Sequence, residues 1–104
     1  MNRPIPSREL PYEAKARIAD NAFLLRKRAG YSQEALGKLA MVSPDRIGKI
    51  ENGRVTGKFD SYVRLAGALS VPVHDLLAGV TWRPASIEME IDATYVVEFD
   101  VKGL

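Results

Sequence analysis

At 104 residues the chain is one domain's worth of sequence, and 46% hydrophobic with 27% charged residues is the composition of a packed core rather than a disordered tail. No apolar run reaches the ~18 residues of a membrane span, no signal-peptide pattern is present, and zero cysteines exclude a disulfide framework, a thiolate zinc site and a cysteine nucleophile. The net charge of +2 hides an asymmetry: residues 1–58 carry 12 Lys/Arg against 6 Asp/Glu, whereas residues 59–104 carry 3 against 7, which points the basic half at an anionic partner.

Residues 1–11 hold three prolines and little periodicity, and read as an extended arm. From Pro11, placed in a first turn, Ala14, Ile18, Ala22, Leu25 and Ala29 recur at helical spacing. Arg26, Lys27 and Arg28 then load positive charge on the helix C-terminus before Gly30 ends it. Ser32 is the cap of a second helix with an apolar stripe of Leu36, Leu39 and Ala40. Only Met41 and Val42 separate that helix from Ser43-Pro44, a second serine cap with proline at the first helical position. Ile47 and Ile50 face inward on the third helix, leaving Asp45, Arg46, Gly48 and Lys49 outward, and Asn52-Gly53 stops it.

Phe59, Val63, Leu65, Ala66 and Leu69 mark a fourth helix, and residues 73–78 a short fifth. Beyond Gly79 the period falls to two. Ile87, Met89 and Ile91 alternate with acidic residues, as do Tyr95, Val97, Phe99 and Val101 with mostly polar ones. This predicts an antiparallel hairpin turning near residues 92–94, one face apolar and one acidic. The expected fold is therefore mostly α: five helices over residues 12–80, then a hairpin tail over residues 81–104.

Two short helices joined by a turn of about three residues have helix-turn-helix geometry, in which the second helix enters the major groove of DNA. The residues that carry a closer likeness are Leu25-Arg26, Gly30-Tyr31-Ser32-Gln33-Glu34-Ala35-Leu36, Val42-Ser43 and Ile47-Gly48-Lys49-Ile50-Glu51-Asn52-Gly53, continued by residues 65–71. Through them residues 22–79 resemble the Cro/repressor-type, or xenobiotic-response-element, helix-turn-helix family. The resemblance implies a five-helix domain that binds double-stranded DNA, usually as a dimer on a palindromic operator. Position by position, it implies phosphate contact for Gln33, and base or flanking phosphate contact for Ser43, Pro44, Asp45, Arg46 and Lys49. It implies a phosphate-contacting loop at Asn52 and Arg54, whose basic rim Lys58 extends. Arg26 and Glu51 match a structural pair joining the first helix to the third.

Pro44 and Asp45 depart from the family pattern. Proline offers no side-chain hydrogen bond to a base, and a carboxylate can accept from cytosine N4 but repels phosphate, so base specificity is expected to rest on Arg46 and Lys49. Asp45 also has a purely structural reading, as a carboxylate in the first turn of a helix. His74-Asp75 reads as a surface pair, and Glu88, Glu90, Asp92, Glu98 and Asp100 as the solvent face of the hairpin. No enzyme, cofactor or metal is expected, and the lack of cysteine fits a reducing cytoplasm.

An isolated hairpin is marginal in water, so its apolar face needs cover. It can pack on the fifth helix of its own chain with Trp82 as an anchor, or pair with the hairpin of a second chain; a palindromic operator favours the latter, making Ile87, Met89, Ile91, Tyr95, Val97, Phe99 and Val101 dimer contacts. The functional expectation is a dimeric repressor. The alternative is an interaction module, such as an antitoxin, whose hairpin binds a second protein.

Overall fold

A computed structural model describes residues 10–54, 58–83 and 94–97. Four α-helices follow in order, α1 (Tyr12–Ala29), α2 (Gln33–Ala40), α3 (Pro44–Glu51) and α4 (Phe59–Ala68). A 3-10 turn at Val73–Asp75 leads into strand β1 (Val80–Arg83), which pairs antiparallel with β2 (Thr94–Val97).

Local sequence explains the helix ends. The Ser32 hydroxyl accepts from the Ala35 N–H at 3.0 Å, and the Ser43 hydroxyl from the Arg46 N–H at 3.1 Å, so both short helices begin on a side-chain cap. Gly30 ends α1 with φ +80, its N–H and that of Tyr31 returning to carbonyls of the last turn. Pro11 is the cap of α1 rather than a residue within its first turn, since its carbonyl accepts from the Lys15 N–H.

One core joins the helices: Ile18 and Ala22 of α1, Leu36 and Ala40 of α2, Val42, Ile47 and Ile50, and Tyr62, Leu65, Ala66 and Leu69 of α4, closed by Leu76. Four expected core residues lie outside it. Leu39, Phe59 and Val63 are 57%, 72% and 46% exposed, and Ala29 is exposed as well. On α4 the buried stripe is Tyr62, Leu65, Ala66 and Leu69; Phe59 opens the helix, and Val63 lies about 100° round from Tyr62.

The fifth helix is only a 3-10 turn, so among the described residues four α-helices stand where five were expected. The six residues between Pro72 and Gly79 are too few for a cooperative α-helix. Two carbonyls of that stretch are instead taken by α1, whose Asn21 amide donates to Leu76 O at 3.0 Å and Ala78 O at 2.9 Å. The hairpin also differs. Its first described strand begins at Val80, directly after Gly79 (φ +87), and not at Ile87. Val80 is half-buried against the helical core and pairs with Val97, while Trp82 pairs with Tyr95. The two strands lie against α1 of their own chain, and Trp82 stays 49% exposed. Thr94, expected in the turn, instead opens β2 opposite Arg83; the expected strand at 87–91, residues 92–93 of the turn, and Phe99 and Val101 lie outside the described residues, as does the 1–9 portion of the arm.

Candidate nucleic-acid interface

The unit formed by α2, the turn and α3 is held from behind by a buried ion pair. Glu51, at the end of α3, accepts from Arg26 Nε at 2.7 Å and from Arg26 Nη2 at 2.8 Å, a bidentate geometry with side chains only 7% and 5% exposed. Arg26 Nη1 also donates to Tyr31 O at 2.9 Å, so α1, the α1–α2 connection and α3 share one guanidinium. The hydrogen bond to Glu51 raises the Arg26 pKa above its ordinary value, outweighing the opposing effect of burial. Gln33, the first residue of α2, completes the junction by donating to Glu51 Oε1 at 3.2 Å.

Gly48 lies beside this link, at a distance that an added Cβ would tolerate. A Cβ there would lie 3.7 Å from Gln33 Oε1, so the bare backbone of α3 lies directly beside the Gln33 amide. The α2–α3 turn is built on two further backbone choices. At Gly37 a Cβ would meet Val42 O at 2.6 Å, a clash that excludes any side chain. Met41 takes the left-handed conformation, φ 57, although it is not glycine, and its side chain is 81% exposed.

The outward surface follows from the helix period. Ile47 and Ile50, each 2% exposed, fix the inner side of α3. Asp45 and Lys49 stand opposite, with side chains 80% and 51% exposed and a 3.2 Å contact between Lys49 Nζ and Asp45 Oδ2. Arg46 is half-buried on the flank, less fully outward than periodicity suggested. Ser43 and Pro44 are exposed at the start of α3, and Asn52, Arg54 and Lys58 are exposed beyond its end; residues 55–57 lie outside the description. Gln33 is half-buried between α2 and α3. Thus Gln33, Asp45, Arg46, Lys49 and the start of α3 share one region around the outward face.

Sequence reasoning missed the Gln33–Glu51 contact, the Asn21 tie and the left-handed Met41. Nothing in the sequence marks any of the three, since an alanine at position 48 would fit beside Gln33 as well as the glycine does. His74 is 80% exposed on its side chain and touches Asp75 Oδ1 at 3.3 Å. Among the described residues no group of His, Asp or Glu could hold a metal ion, and no helix is long and apolar enough to cross a membrane.

Comparison with known proteins places this architecture. A family model described as a helix-turn-helix domain matches residues 24–78, just over half of the chain. No curated protein matches. Among solved structures, the restriction-modification controller protein C.AhdI from Aeromonas hydrophila is 26% identical at a TM-score of 0.61, the match covering 62% of this chain and 98% of that one. The hypothetical transcription factor NHTF from Neisseria is 30% identical at a TM-score of 0.59, covering 71% and 86%. The P22 c2 repressor, solved with a synthetic operator, is 27% identical at a TM-score of 0.56, covering 60% and 94%. With α2 and α3 meeting across a tight turn, the chain belongs to the helix-turn-helix domain family, with a DNA-binding domain of the Cro/repressor type.

Proposed function

We propose that the chain is a sequence-specific repressor that reads a palindromic operator as a homodimer, with α3 in the major groove. The observation that carries this reading is the division of α3: Ile47 and Ile50 are sealed in the core while Asp45 and Lys49 face solvent, on a helix anchored by Arg26–Glu51. Around it, Gln33, Ser43, Asn52, Arg54 and Lys58 supply donors for phosphates on either side of the groove, and the N-terminus of α2 adds its own attraction for an anion. Ser43 uses its oxygen lone pair as a cap, which leaves its hydroxyl proton free for a phosphate. Pro44 contributes shape and apolar contact.

Dimer formation is assigned to the C-terminal hairpin. A two-stranded sheet leaves each strand with an open edge, and the apolar alternation continues past the four-residue strands at Ile87, Met89, Ile91, Phe99 and Val101, whereas Val97, opposite the core-packed Val80, covers its own chain. The asymmetry of charge suits this arrangement, because the acidic tail is repelled from the DNA that the basic half attracts. Fluorescence-anisotropy titration on a site selected from random DNA tests the reading. Lys49→Ala and Arg46→Ala should each weaken that site by ~1–3 kcal/mol, whereas Gln33→Ala should weaken specific and unrelated DNA alike. Wild-type affinity for the selected site in both α3 variants would remove α3 as the reading element.

A further inference from the structure

Asp45 and Lys49 lie one turn apart in the middle of the outward side of α3, with Oδ2 and Nζ 3.2 Å apart. Such an i, i+4 pair, its carboxylate in the first turn of the helix and its ammonium in the last, has a stabilising role of its own. Its placement adds something more. Of the other residues in the helix, Ile47 and Ile50 point into the core, Glu51 is held by Arg26, and Arg46 stands on the flank. Pro44 and Gly48 have no side-chain group that hydrogen-bonds. The only hydrogen-bonding side chains centred on the outward side are thus one acceptor and one donor, about a hydrogen-bond length apart.

A C·G pair presents the complement of that arrangement in the major groove. Cytosine N4 donates and guanine O6 accepts, and the two atoms are neighbours because they are bonded to each other within the base pair. Guanine N7 lies next to O6 as a second acceptor for an ammonium, where adenine offers N7 alone. We propose that Asp45 is a specificity-determining residue that reads one C·G pair in each half-site together with Lys49. The carboxylate accepts from cytosine N4, and the ammonium donates to O6 and N7 of the paired guanine. The proposal rests on α3 being the recognition helix. Asp45 also selects by exclusion: a guanine O6 or thymine O4 opposite it would set acceptor against acceptor, with no proton between them.

The test uses the full chain and a half-site obtained from random DNA by the wild-type protein. The site should contain a C·G pair whose replacement by T·A lowers wild-type affinity about tenfold or more. Asp45→Ala should lose most of that discrimination, keeping only the part that Lys49 reads at guanine O6, while still discriminating at the other positions of the site. Asp45→Asn should move the preference at that pair toward A·T, because a carboxamide bonds adenine N6 and N7 together. Circular dichroism confirms that both variants remain folded. If Asp45 served only helix stability, Asp45→Ala would bind all sequences more tightly by the same factor and keep every wild-type base preference; that result overturns the proposal, as does a selected site in which no C·G preference depends on Asp45. Failure of wild type to enrich any sequence would instead remove the recognition-helix reading, and this proposal with it.

Discussion

Arg26 and Glu51 place opposite charges where neither is solvated, and Glu51 accepts three hydrogen bonds that engage α1 and α2. Removing one partner leaves the other charge buried and unpaired. Arg26→Ala or Glu51→Ala should therefore destabilise by ~3–5 kcal/mol, visible as a lower midpoint in urea denaturation. Tyr62 makes the opposite case. Its hydroxyl is buried with no hydrogen-bond partner among the described residues, and burial pushes its pKa up to about 12. Tyr62→Phe should be neutral or stabilising by about 1 kcal/mol. The sign of the pH effect follows from the raised value: the unfolded phenol ionises near ~10, so the unfolded state sheds its proton first and stability falls as pH rises from there toward 12. Thermal melts across that range should show a smaller loss for Tyr62→Phe than for wild type.

The α2–α3 turn is the element on which the interface depends, and it concentrates two backbone constraints. Met41 holds a left-handed conformation that costs a side-chain-bearing residue roughly 1 kcal/mol, so Met41→Gly should raise the melting temperature. Gly37→Ala should lower it, because its Cβ would strike Val42 O. Neither constraint is legible from periodicity, which records which residues alternate and not which carbonyl approaches which Cα. The caps at Ser32 and Ser43, the inward pair Ile47 and Ile50 and the end at Asn52-Gly53 were all legible, because each depends on groups within a few residues of one another. Leu39, Phe59 and Val63 misled for a related reason: apolar character places a residue near a stripe, but the neighbouring helix decides which flank is covered. The last helix failed because its carbonyls are satisfied by Asn21, more than fifty residues away in sequence. The hairpin was legible as an antiparallel pair but not in register, since Val80 and Trp82 give too short an alternation to mark a strand. On α3, periodicity placed Asp45 and Lys49 outward, where they stand, but only the helix in place shows that Arg46 lies to one side.

Across the whole molecule, charge divides into a basic helical half and an acidic tail, the first proposed to take DNA and the second to self-associate. Met89→Asp, on the apolar alternation of the tail, should convert a dimer into a monomer in sedimentation at micromolar concentration while the far-ultraviolet circular dichroism of the helices is unchanged. Its affinity for a palindromic site should drop sharply, because two linked readers gain an effective concentration that one lacks. Arg54→Ala and Lys58→Ala should each reduce the slope of log affinity against log salt by about 1 if they neutralise phosphates. The most direct test of the central claim, that the outward side of α3 reads DNA in a symmetric pair, is selection of bound sequences from a random DNA pool, run in parallel for wild type and Lys49→Ala. Wild type should enrich a palindrome with half-site centres separated by about one helical turn or a multiple of it, and Lys49→Ala should lose preference at a matching position in both halves. An unenriched wild-type pool, or the same consensus from both proteins, would contradict that claim.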